Sequence, residues 1–90
     1  MEDDGKKGMF VIFENDQRAG EMTFTWAGDS KFIIDHTGVD SSYEGKGYGR
    51  ILVKAAVDYA RNKPAKIIPL CPFAKRQFEK HPEYSDVLLF

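Results

Sequence analysis

Residues 31–50 read KFIIDHTGVDSSYEGKGYGR, and the rest of the architecture can be built outward from them. Lys31 to Val39 is apolar and β-prone, and Phe32, Ile34 and His36 share one face if no bulge intervenes. The segment Tyr43-Glu-Gly-Lys-Gly-Tyr-Gly-Arg50 then runs into a helical pattern. Glycines at 45, 47 and 49 leave the amides around them barely covered and permit the positive φ angles that turn successive N–H groups inward. A helix opening at that point adds its unpaired N-terminal donors and the positive end of its dipole. A strand, a glycine loop and a helix in this order form a site for a pyrophosphate-like anion.

Upstream, Met9 to Phe13 is a second β-prone run, and Glu14 to Gln17 is a turn cluster. From Gly20 to Trp26, the apolar Met22, Phe24 and Trp26 alternate with Glu21, Thr23 and Thr25, the period of a half-buried strand. These runs predict an antiparallel hairpin, followed by a turn at Ala27–Ser30. Downstream, the helix is expected to end near Asn62 and to bury Tyr48, Leu52, Ala55, Ala56, Tyr59 and Ala60. Lys66 to Leu70 reads as a short strand. Pro72 suits the first turn of a second helix reaching Lys80, and Val87 to Phe90 is an apolar tail. The order β-β-β-α-β-α is an α+β domain with a mixed sheet. Its strand–helix–strand unit should place strands 31–39 and 66–70 parallel.

Ninety residues make one small domain, here assigned to 9–90, with Met1 to Gly8 as a loose, charged arm. Thirteen basic and fourteen acidic residues nearly cancel, which leaves no electrostatic footprint for nucleic acid. No apolar run reaches membrane-spanning length, and the start lacks an apolar signal core. The single cysteine excludes an internal disulfide and fits a reducing, cytoplasmic setting. Two histidines and one cysteine show no metal-ligand spacing, so no metal is expected.

Three kinds of phosphate loop compete for Gly45–Gly49. The P-loop needs a closing Lys-Ser/Thr that this chain lacks. A dinucleotide fold needs Gly-x-Gly-x-x-Gly and more parallel strands than the length allows. The third is the Gln/Arg-x-x-Gly-x-Gly/Ala loop of the GCN5-related N-acetyltransferases, which Glu44-Gly-Lys-Gly-Tyr-Gly49 resembles at both final glycines. It departs at Glu44, a carboxylate where that family has Gln or Arg. Across residues 9–90 the chain resembles a compact subgroup of the same superfamily, of roughly 90 residues. The carrying segments are Asp35-His-Thr-Gly-Val39, Gly45-Lys-Gly-Tyr-Gly49, Ile67-Ile-Pro-Leu-Cys-Pro-Phe73 and Phe78-Glu-Lys-His-Pro-Glu-Tyr84.

The resemblance implies a minimal acyl-CoA N-acyltransferase fold and acetyl transfer from acetyl-CoA to an amine acceptor, a protein or peptide included. It places the pyrophosphate on Gly45, Lys46, Gly47, Tyr48, Gly49 and Arg50, with Val39, Phe73 and Ala74 beside the pantetheine arm or adenine. In that fold the strands before the loop and after the helix splay apart to admit the thioester, and Pro69 is suited to ending their pairing. His36 and Cys71 come from these two strands and so are the candidate catalytic pair. Two routes are open. Cys71 can accept the acetyl group with His36 lowering its pKa or serving as base. Alternatively the amine attacks directly, with His36, Glu79 or Glu83 taking its proton. Tyr84 is a candidate acid for the departing thiolate. Lys46, Arg50 and Lys54 share a helix face, and Lys54 reads as part of a solvated surface. A coenzyme A-binding module without catalysis is the alternative function. A lone cysteine is most often a small buried hydrophobe.

Overall fold

The computed structural model describes residues 2–89. Its elements are β1 (Glu2–Asp3), β2 (Lys7–Glu14), β3 (Gln17–Trp26), β4 (Lys31–Val39), α1 (Tyr48–Asn62), β5 (Lys66–Pro69) and α2 (Pro72–Lys80). The strands form one sheet in chain order, antiparallel from β1 to β4, with β5 parallel to β4. This is the mixed α+β sheet that the element order predicts. The β2–β3 hairpin turns through Asn15 and Asp16, both at positive φ (51° and 69°). Asn and Asp tolerate that conformation best among residues with a side chain.

Of the segment expected to be a loose arm, residues 2–8 carry a short strand. Glu2 and Asp3 pair with Met9 and Gly8, an element too short to show alternation in sequence. The Asp3 carboxylate accepts from Trp26 Nε1 at 3.0 Å and from the Tyr59 hydroxyl. Burial opposes ionisation of Asp3, but these donors and the Gly5 amide outweigh it and hold its carboxyl below the usual range. Burial and the same carboxylate push Tyr59 up to about 12.

Both helices contribute to a single core on one face of the sheet. Phe24, Phe32, Met22, Ile34, Ile67, Val53 and Val57 are its largest fully buried side chains. The α1 stripe is wider than the sequence pattern indicates: Val53 and Val57 join Leu52, Ala56 and Ala60, while Tyr48, Ala55 and Tyr59 lie half-buried at its margins. The tail is a strap on β5, since Ile67 donates to Val87 (2.6 Å) and accepts from Leu89 (2.9 Å). Phe90 lies outside the described residues.

Two features of β4 shape the site. Its pairing with β5 stops at Ile34 and Pro69, where proline has no N–H to continue a ladder. Cys71 N–H still donates to Ile34 at 3.2 Å, but Asp35–Val39 then pairs only with β3. The expected splay is therefore present. A bulge also intervenes: Thr23 faces His36 and Phe24 faces Ile34, leaving Asp35 as the extra residue. The insertion resets the alternation. Ile34 points into the core, Asp35 and His36 are exposed, and Thr37 lies opposite the fully buried Met22. His36 thus does not share the face of Phe32 and Ile34.

Candidate functional site

Asp40 follows β4 and caps a 3₁₀ turn, Ser41–Tyr43, by accepting from Ser42 N–H at 2.9 Å. The chain then passes through Gly45 (φ +85°) and Gly47 (φ +80°), a left-handed conformation that glycine adopts without strain. Gly47 is the N-cap of α1, and Ile51 makes the first helical bond, to Gly47 C=O at 3.2 Å. Among the described residues, no amide from Gly45 to Arg50 has a partner within the protein. The loop thus presents a run of free donors at a helix N-terminus, a geometry suited to an anion.

The cradle opens on a hollow of about 410 Å³ walled by Val39, Phe73 and Gln77. Gly49 does more than expose an amide, because a Cβ there would lie 2.5 Å from Phe73 Cζ. Its bareness lets the ring lie against α1. Arg50 curls back over Gly47 and forms no ion pair among the described residues. Lys46 is engaged by Glu14, its Nζ lying 2.9 and 3.0 Å from the carboxylate oxygens. The Tyr48 hydroxyl donates to the same carboxylate, and Tyr43 donates to Gln17 Oε1 at 3.0 Å. The end of the β2–β3 hairpin therefore clamps the loop. The Tyr48 hydroxyl and the Lys46 ammonium hold Glu14 below its ordinary pKa. The contact is fully formed above that ordinary value and is lost as pH falls through the depressed one. Lys54 pairs with Asp58 at 2.8 Å on the solvent face of α1.

Cys71 is the N-cap of α2 and is 7% exposed. Burial opposes ionisation of its thiol, but the Ala74 amide, the Thr37 hydroxyl, the Phe73 amide and the Thr37 amide outweigh it. Their balance holds the thiol below its ordinary pKa. The free amides at the start of a helix are suited to this role. Thr37 Oγ1 is itself buried and near enough to the sulfur to favour the thiolate, but it reaches full hydrogen-bond geometry with no group among the described residues. Val39 lies two residues further along the same face, so the open edge of β4 leads from the hollow toward the thiol.

The structure does not pair His36 with Cys71. The bulge carries its imidazole to the outer face, over Gly38, beside a hollow shared with Arg18 and Glu21. Ala74 is fully buried in the core, and only its amide faces the sulfur. Glu79 is exposed, and Glu83 sits 3.2 Å from His81 Nδ1. Tyr84 is buried against Phe78 and stacked on His81, with ring centroids 5.9 and 5.1 Å away. The residues missed in sequence are Thr37, Glu14 and Gln77. Of these only Gln77 left a local signal, a polar residue at an inward helix position. A larger hollow of about 790 Å³ lies around Thr23, Thr25 and Asp35, away from the loop donors. Among the described residues no cluster suited to a metal ion occurs, and no helix is long and apolar enough to cross a membrane.

The profile of the family described as GCN5-related N-acetyl-transferase matches residues 9–87. A GCN5-like protein from Staphylococcus aureus, solved by NMR, is 39% identical, covering 90% of this chain and 80% of that one (TM-score 0.74). Ribosomal-protein-alanine N-acetyltransferase from Brucella melitensis has the same fold at 18% identity (TM-score 0.74), over 86% of this chain and 62% of that enzyme. The ribosomal-protein-S18-alanine enzyme of Escherichia coli shares it at 17% identity (TM-score 0.73), over 88% of this chain and 54% of the enzyme. No curated protein sequence matches significantly.

Proposed function

Since the chain belongs to the GCN5-related N-acetyltransferase family, we propose that it binds acetyl-CoA and transfers the acetyl group to an amine. The observation that carries this is the unpaired amide run from Gly45 to Arg50, joined to the open edge of β4. The free donors suit the coenzyme's diphosphate, and Val39 and Phe73 offer apolar walls for its arm. The orphaned Thr37 hydroxyl beside a thiol suits the thioester.

In the covalent route, Cys71 Sγ attacks the thioester carbonyl carbon. The carbon–sulfur bond to coenzyme A breaks, and the departing thiolate takes up, through solvent, the proton that the Cys71 thiol gave up. An amine then attacks the acetyl-cysteine, a C–N bond forms, and Cys71 leaves as the thiolate. The proton lost from nitrogen goes to a base at the outer face. His36 holds an exposed imidazole there, which makes it the base of this proposal and no longer the partner of the thiol. The direct route omits the acetyl-cysteine and uses the same base. An uncovered outer face favours a large acceptor such as a protein terminus or lysine. The lack of a wall around that acceptor also keeps open a second reading, a coenzyme-binding module without turnover.

Thermal-shift measurement tests the binding claim. Acetyl-CoA and coenzyme A should both raise the melting temperature, by about 2.7 kcal/mol of stabilisation at a hundred times Kd. No shift with either would remove the proposal. A shift with no acetylation of amines or lysine peptides would select the second reading.

Glu14 offers a separate check. Its carboxylate engages Lys46 beside the cradle, so the diphosphate must compete for that cation. Glu14→Gln is expected to tighten coenzyme A binding about two- to fivefold at low salt, the order of an exposed ion pair. The gain should shrink as salt rises. Weaker binding in calorimetry would mean that the hairpin clamp matters more than the freed lysine.

A further inference from the structure

Gln77 is poorly explained by the core. The inward positions of α2 are Ala74, Gln77 and Phe78, the spacing of an apolar stripe. Yet the residue there is a carboxamide only 6% exposed. Its side chain makes no hydrogen bond among the described residues, and a buried amide without a partner is destabilising. Its polar atoms are not sealed, however, since among the described residues the sealed and unpartnered side-chain atom is Thr37 Oγ1. The remaining opening faces the hollow between Val39, Phe73 and the glycine loop.

We propose that Gln77 reads a secondary amide of the coenzyme's pantetheine arm and is a specificity residue for coenzyme A over other diphosphates. The inference rests on the acetyl-CoA reading above. Its chemistry follows from the atoms available. The loop amides and Arg50 supply only donors, which is all that an ionised diphosphate can use. A carboxamide also carries an acceptor, Oε1, which a diphosphate cannot satisfy. A secondary amide meets both halves: Gln77 NH₂ donates to its carbonyl, and Oε1 accepts from its N–H. Val39 and Phe73 beside Gln77 suit the methylene segments that flank such an amide.

The test compares coenzyme A with ADP, which has the diphosphate but not the arm, on the wild type, Gln77→Met and Gln77→Glu. Binding is read by calorimetry and by NMR titration. Gln77→Met keeps the side-chain length and should weaken coenzyme A about tenfold while leaving ADP unchanged. The ligand-free Met variant should melt at the same temperature as the wild type or higher, the opposite of a structural role. Gln77→Glu should weaken both ligands by placing a carboxylate near the diphosphate. Equal coenzyme A affinity in the wild type and Gln77→Met overturns the inference alone, as does an equal loss for both ligands. Failure of the wild type to bind coenzyme A overturns the acetyl-CoA reading itself.

Discussion

Replacing Cys71 with alanine is expected to lower acetyl transfer by about 10³-fold or more, the scale of losing a covalent nucleophile. The coenzyme should still bind, because the donors from Gly45 to Arg50 are untouched. Wild-type protein exposed to acetyl-CoA should gain one acetyl group on Cys71, visible by mass spectrometry and absent from Cys71→Ala. The thiol's environment adds a pH signature. Its pKa lies below the ordinary value because the Ala74, Phe73 and Thr37 donors outweigh burial. Alkylation should therefore accelerate at a lower pH than for a free cysteine, and Thr37→Val should move that onset upward. Full turnover by Cys71→Ala would eliminate the covalent route and leave direct attack.

Phe24→Ala is expected to destabilise the fold by about 3–5 kcal/mol, the range for deleting a buried aromatic ring. Phe24 is 1% exposed, and its ring lies 4.8 Å from that of Phe32, 5.3 Å from Phe10, 6.0 Å from Tyr59 and 6.3 Å from Trp26. It joins β2, β3, β4 and α1 into one packed unit, so its cavity has little freedom to collapse. Small domains have only about 5–15 kcal/mol in total, and the melting temperature should drop by at least about 12 °C. Under the proposed function, saturating coenzyme A should restore part of the loss, since a ligand that binds only the native state stabilises it. Phe13→Ala is the control. That ring is 61% exposed and should change stability by no more than about 0.5 kcal/mol. A drop below about 1 kcal/mol for Phe24→Ala would show that the ring cluster repacks.

The fold was largely legible because its signals are local. Alternation at Met22, Phe24 and Trp26 marks a half-buried strand whatever surrounds it. Pro69 ends a ladder through its own covalent structure. The Asn15–Asp16 turn and the glycines at 45 and 47 take backbone conformations that their residue types favour. The site was legible only in part. Val39, Gly45, Gly47, Gly49, Arg50 and Phe73 lie where the glycine pattern points, whereas Lys46 and Tyr48 reach Glu14 across the hairpin. That contact joins residues far apart in the chain, and neither segment alone carries a sign of it.

Sequence alone determined the element order from β2 to α2, the glycine loop with its free amides and the strand break that opens β4. Each depends on what a residue does to its own backbone. Tertiary structure alone decided which side chain meets the thiol. A one-residue bulge turns every later side chain to the other face, and whether it forms depends on the pairing of Thr23 and Phe24 across the sheet. It sent His36 outward and brought Thr37 to Cys71, while on α2 only the packing buries Gln77 beside the glycine loop.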